Sequence, residues 1–168
     1  MNKTIRVALV ALLCVGAAAC SKKQEVKPQP QPEPQPMTQP APTSNKFTPA
    51  DLDTDACLRQ RVVYFDFDKD EIRPEFQQIM QCHAKYLQDR PMAAIRLEGH
   101  TDERGTREYN LGLGERRGNA VSNALQANGG SASQLSVISY GKEKPVCREH
   151  NEDCWSKNRR VEIVYTAK

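Results

Sequence analysis

The run Gly99-His100-Thr101-Asp102-Glu103-Arg104-Gly105, followed by Asn110, Leu113, Arg117 and Val121, decides how this chain is read. Ile95, Leu97 and Gly99 alternate with polar neighbours and predict a strand, while the residues from about Arg107 to Asn128 predict a helix stopped by Gly129-Gly130. A carboxylate, Asp102, therefore stands at a strand end, and a guanidinium, Arg117, stands inside the helix that follows. Counting about 100° per residue from Leu113 puts Ala120 at about 340°, Ala124 at about 20° and Val121 at about 80°, an arc that faces a core. Arg117 falls at about 40°, within that arc. An unpaired buried ion is strongly destabilising, so Arg117 needs a partner, and Asp102 is the candidate to face the same cavity. Two opposite charges held apart in one cavity suit a zwitterionic ligand.

On either side of this unit the pattern continues. Val63, Phe65 and Phe67 alternate with Tyr64, Asp66 and Asp68 as a half-buried strand. Pro74 suits a helix start, Phe76, Ile79, Met80, His83 and Leu87 share one helical face up to about Arg90, and Pro91 ends it. Leu135 to Tyr140 read as a third strand, and Val161, Ile163 and Tyr165 mark the last. The order β-α-β-α-β-β predicts an α+β sandwich with helices packed on one face of a mixed sheet.

With 38% hydrophobic and 6% aromatic residues, the 168-residue chain can fill one core rather than two. Residues 1–19 carry Lys3 and Arg6, an apolar run from Val7 to Val15 and small residues up to Ala19, the layout of a secretory signal peptide and too short to span a bilayer. Removing them takes away two of the 24 basic residues and no acidic ones, which leaves 22 against 21. That balance argues against a nucleic-acid partner. From Ser21 to Lys46 the chain is polar, with Pro28, Pro30, Pro32, Pro34, Pro36, Pro40 and Pro42, and reads as a tether. In polyproline II at ~3.1 Å per residue, about 25 residues reach roughly 80 Å. The folded domain is expected over residues 47–168.

Several residues invite a chemical reading that the spacing does not support. Asp66, Asp68 and Asp70 imitate the opening of a calcium loop, but Glu71 replaces the required Gly and Gln77 the bidentate Glu. His83, central on an apolar helical face, reads as a hydrogen-bonded core residue. His100, Asp102 and Glu103 lack the nucleophile or metal motif that hydrolysis needs, so no catalytic residues, no metal ligands and no cofactor are expected. Arg159 and Arg160 before the last strand read as structural. Cys14 leaves with the signal peptide and Cys20 follows its small residues directly, which leaves Cys57, Cys82, Cys147 and Cys154. Four thiols allow three pairings and the sequence does not choose among them, although proximity favours Cys147 with Cys154, leaving Cys57 with Cys82. The rival is a metal site of two of these cysteines with His150, against which stand the oxidising compartment and the lack of a zinc spacing.

Four ordered blocks carry a family resemblance: Val63-Tyr64-Phe65-Asp66-Phe67-Asp68, the stretch from Gly99 to Val121, Ser139-Tyr140-Gly141-Lys142-Glu143-Lys144-Pro145 and Asn158-Arg159-Arg160-Val161. Together they resemble the OmpA-like peptidoglycan-binding domain over roughly residues 57–168. The resemblance implies non-covalent binding of the diaminopimelate residue in peptidoglycan stem peptides, with Asp102 on its amino group and Arg117 on its carboxylate. It also implies that Phe67, Asp68, Asn110 and Leu113 line the site. Cys20 and the residues before it resemble a lipobox, with Ala17 where Leu is usual, which implies acylation of Cys20; Ser21 then resembles an outer-membrane address, with the domain facing the periplasm. The lipoproteins of this family imply partners in the Tol system, TolB in particular. Two rivals remain: a cell-wall hydrolase, and an assembly or stator anchor built on the same domain.

Overall fold

The computed structural model describes residues 46–168; the expected signal peptide, the Cys20 acylation site and the proline-rich tether lie outside the described residues. In chain order the elements are α1 (Asp51–Thr54), β1 (Val62–Tyr64), α2 (Gln77–Asp89), β2 (Ala94–His100), α3 (Arg107–Ala127), β3 (Leu135–Gly141), α4 (Glu152–Asn158) and β4 (Arg160–Ala167). The four strands form one mixed sheet in the order β1-β4-β2-β3. β2 and β3 are parallel and joined by the α3 crossover, and β4 lies antiparallel between β1 and β2. The α+β architecture read from the sequence is thus observed.

Local chemistry sets the boundaries. Pro74 opens a single 3-10 turn that leads into α2, and α2 ends at Asp89 because Arg90, the residue before Pro91, leaves the helical conformation at φ −126° and ψ 77°. Thr106 caps α3, its hydroxyl accepting the Tyr109 N–H at 3.2 Å. At the other end Gly129 turns at φ 98° and the Gly130 N–H reaches the Leu125 carbonyl at 2.9 Å, so the helix stops where the glycine pair falls. The core joins Ile79, Met80 and Leu87 of α2 to Ile95 and Leu97 of β2, Val121 and Leu125 of α3, and Ile163 of β4.

The structure corrects three expectations. The buried side of α3 is Asn110, Leu113, Gly114, Arg117, Gly118, Val121, Ser122 and Leu125, centred about 90° from Leu113 and rotated away from Ala120 and Ala124. The reason is that Gly114 and Gly118 carry no hydrophobic signal yet let the helix sit directly on the sheet. A Cβ on Gly99 would stand 2.0 Å from the Gly114 carbonyl oxygen, and one on Gly118 would stand 2.5 Å from Cγ1 of Val137. β1 stops at Tyr64, and Phe67 is 56% exposed rather than inward-facing, because the chain turns through Asp68 at φ 58°. Two short helices, α1 and α4, were not anticipated. The latter is capped by Asn151, which accepts the Cys154 N–H, with Glu152 and Asp153 in its first turn.

Cys147 is bonded to Cys154, as proximity in sequence favoured, at a Cα separation of 5.1 Å, and the remaining pair is Cys57–Cys82 at 6.3 Å. His83 is fully buried, with Nε2 2.9 Å from the Gln60 carbonyl and Nδ1 2.7 Å from the Tyr165 hydroxyl. A carbonyl only accepts, so the ring proton sits on Nε2 and the tyrosine donates to Nδ1. Burial pulls the His83 pKa down from 6.5 to about 4, with Arg61 adding to it and the Gln60 carbonyl and Asp55 opposing.

Two expectations follow. Gly99→Ala should destabilise the domain by about 1–3 kcal/mol, since backbone rather than a pliable side chain meets the new methyl; an unchanged urea midpoint would show that the strand and helix separate freely. The folded His83 pKa lies below its unfolded value of 6.5, so its contribution is complete above that pH and is lost as pH falls towards 4. Its share of the loss at pH 4 is on the order of 3 kcal/mol, and a His83→Gln variant should show a shallower decline in denaturation midpoint over that range than the parent chain.

Candidate ligand-binding cleft

Asp102 follows the end of β2, where the Thr101 N–H is tied to the Gly141 carbonyl at 2.9 Å. The loop then turns at Gly105, φ 90°, and is closed by Asn110, whose Nδ2 donates to the carbonyls of Arg104 at 2.8 Å and Thr106 at 2.9 Å. Across from it, Arg117 rises from α3 with no exposed surface at all. Between them opens a small cleft of about 180 Å³. Phe67, Asp68, Asn110 and Leu113 line it together with Asp102 and Arg117, so the structure brings all six residues singled out in the sequence into one place.

The expected pairing of Arg117 with Asp102 is not what the structure shows. Arg117 donates Nε to the Lys69 carbonyl at 2.8 Å, Nη1 to the His100 carbonyl at 3.0 Å and Nη2 to the Asp66 carbonyl at 3.0 Å, and its guanidinium lies 5.2 Å from the Phe65 ring centroid. Backbone carbonyls, which leave no trace in a pattern of side chains, replace the carboxylate. Burial and the nearby Arg159 lower its pKa to about 10, against the pull of Asp102, Asp70 and Asp68, so it remains charged at neutral pH. Three of its five N–H groups are spent, which leaves one on each Nη.

Asp102 is instead gripped by two other arginines. Oδ1 accepts the Arg104 backbone N–H at 3.1 Å and its Nε at 3.2 Å; Oδ2 accepts Arg104 Nη2 at 2.6 Å and Arg159 Nη1 at 3.4 Å. Burial alone would raise the pKa of this carboxyl, but the bonds from Arg104 and Arg159 outweigh it and hold it below the ordinary range. All four acceptor positions of the carboxylate are occupied. Arg104 is itself sandwiched, 4.0 Å from the Phe67 ring centroid and 4.3 Å from that of Trp155. Trp155 donates to Glu103 at 2.7 Å. Arg159 also donates to the Phe65 carbonyl at 3.1 Å and to Glu152 at 2.5 Å.

Sequence reasoning missed Arg104 and Tyr109 and gave Arg159 a structural part only; all three line the cleft. Tyr109 donates to Asp68, which raises its pKa and closes one wall. The signal for Tyr109 was available, since it lies one residue before Asn110 in the first turn of the same helix. The three acidic residues that imitate a calcium loop are spread over separate contacts: Asp66 faces Arg73 at 3.7 Å, Asp68 bonds to Tyr109, and Asp70 faces Arg116 at 3.7 Å. His150 pairs with Glu103 at 2.7 Å, and the two cysteines nearest to it in sequence are bonded to each other.

The cleft thus holds Arg104, Arg117 and Arg159 against Asp68 and Asp102, with Leu113 as an apolar part of its lining. It can receive a small group bearing both charges. Residues 64–159 match the model of the OmpA family. A peptidoglycan-associated lipoprotein of Haemophilus influenzae is 41% identical over 165 residues, covering 98% of this chain and 100% of that protein. One of Pseudomonas aeruginosa is 48% identical over 113 residues, 67% of each. The crystal structure of the peptidoglycan-associated lipoprotein from Burkholderia pseudomallei superposes with a TM-score of 0.67 at 46% identity, covering 68% of this chain and 97% of that one. The C-terminal domain of Helicobacter pylori MotB superposes at 0.59 with 26% identity, over 64% and 84% of the two chains. Family model, full-length relative and solved structure converge on the strands and helices that build the cleft, and the chain belongs to the OmpA family.

Proposed function

We propose that this chain is an outer-membrane lipoprotein whose domain, residues 47–168, faces the periplasm and holds peptidoglycan without chemical conversion, linking membrane and cell wall. The observation that carries the reading is the convergence of Asp102 and Arg117 on one cleft with Phe67, Asp68, Asn110 and Leu113. The names of the relatives support it. The ligand group is the distal amino acid centre of diaminopimelate: its carboxylate takes the two N–H groups left on Arg117, and its ammonium takes Asp102. Because the acceptor positions of Asp102 are filled, the ammonium enters as Arg104 leaves the carboxylate, and the half-exposed aromatic sandwich around Arg104 gives it somewhere to move. Partners in the Tol system, TolB among them, fit a lipoprotein of this family. The membrane anchor is Cys20, joined to the domain by the proline-rich segment.

Each charge-assisted contact contributes ~1.5–3 kcal/mol. In calorimetry, a stem-peptide fragment with lysine in place of diaminopimelate should therefore bind at least roughly tenfold more weakly, because it lacks the distal carboxylate. Asp102→Ala and Arg117→Ala should each nearly abolish sedimentation with sacculi. Asp102→Ala leaves buried Arg159 short of a partner and Arg117→Ala frees the carbonyls of Asp66, Lys69 and His100, so circular dichroism must accompany the assay. Equal affinity for both fragments, or folded variants that still sediment, would refute the assignment. Mass spectrometry of the N-terminal peptide tests the anchor: an acylated Cys20 is expected, and an unmodified Cys20 or a different start residue contradicts it.

A further inference from the structure

We propose that Glu98, His100 and Glu162 form a site for a divalent transition metal, Zn2+ above all, on the face of the sheet turned away from α3. Glu98 and His100 are two apart on β2, and Glu162 on β4 is the cross-strand partner of Glu98. One ligand atom from each lies within 4.8 Å of the others, and His100 Nε2 is 3.9 Å from Glu162 Oε1. One feature needs an explanation that folding alone does not give. His100 is only 2% exposed, yet neither of its ring nitrogens has a hydrogen-bond partner among the described residues. Buried polar atoms are nearly always satisfied, and a ring stacked on Tyr140 at 5.4 Å and aimed at two carboxylates has the set-up of a metal ligand.

The donor set fits the ion. Imidazole and carboxylate oxygen both suit Zn2+, whose bonds of roughly 2.0–2.2 Å require the donors to draw together from their present spacing by rotation of the glutamates. Arg96 and Arg160 hold only Oε1 of Glu98 and of Glu162, so each carboxylate keeps Oε2 for the metal. Arg160 also donates to the carbonyls of Asn158 and Lys144 and stays bonded if Glu162 turns. The cluster crosses two strands, and for that reason no spacing in the sequence announces it.

The test is titration of ZnCl2 into the purified full chain at pH 7 by calorimetry, with the imidazole nitrogens of its three histidines followed by NMR. One equivalent should bind, with the His100 resonance shifting. Glu162→Gln, at a position 34% exposed and close in shape, should weaken binding at least tenfold, as should His100→Ala, whereas His150→Ala should not. Absence of binding overturns the proposal. So does binding that survives Glu162→Gln and is lost in His150→Ala, which would place the ion on the exposed His150–Glu103 pair.

Discussion

One guanidinium holds this domain's working end together. By donating to the carbonyls of Asp66, Lys69 and His100, Arg117 ties the turn after β1 to the end of β2 from a position on α3. Three segments distant in sequence thereby meet at a single side chain. The charge is costly to bury, and the carbonyls offset that cost through charge-assisted bonds without themselves bringing a negative charge into the interior. A carboxylate partner would have neutralised Arg117. Carbonyls leave its positive charge without a contacting carboxylate on the lining of the cleft.

The same economy governs Asp102, whose charge is met by Arg104 and Arg159. Arg159 reaches it from the residue before β4, so the last segment of the chain completes a site begun at the end of β2. Arg104 differs, being held mainly by aromatic faces and by Asp102. Of the arginines around the carboxylate it is the one with exposed side chain to spare.

Much of this was legible in the residues. Alternation located β2, β3 and β4, proline and paired glycines located the helix ends, and the count of about 100° per residue placed Arg117 inside. The failures have physical causes. Arg117's partners are backbone atoms, which every residue possesses and no pattern marks. The true face of α3 runs through Gly114 and Gly118, which contribute close approach instead of hydrophobicity. Phe67 was placed inward by alternation, but a left-handed residue directly after it ends the strand's logic and delivers the ring to Arg104. α4 is short and its apolar content slight, although Asn151-Glu152-Asp153 carried the capping signal.

The position of β4 has a consequence for how the chain acquires this shape. It is the last strand in sequence and an inner strand of the sheet, hydrogen-bonded on both sides. A chain emerging from its N-terminus, whether from a ribosome or through a membrane pore, cannot join β1 to β2 until residues 160–167 have also emerged. Before that, β2 and β3 keep an open edge, β1 has no neighbouring strand, and Arg159 is not yet in place to donate to the Phe65 carbonyl and the Asp102 carboxylate. Contacts so distant in sequence slow folding and expose pairing edges in the interim. Premature folding is thereby disfavoured, and a truncation that removes β4 takes away an inner strand of the sheet rather than trimming its rim.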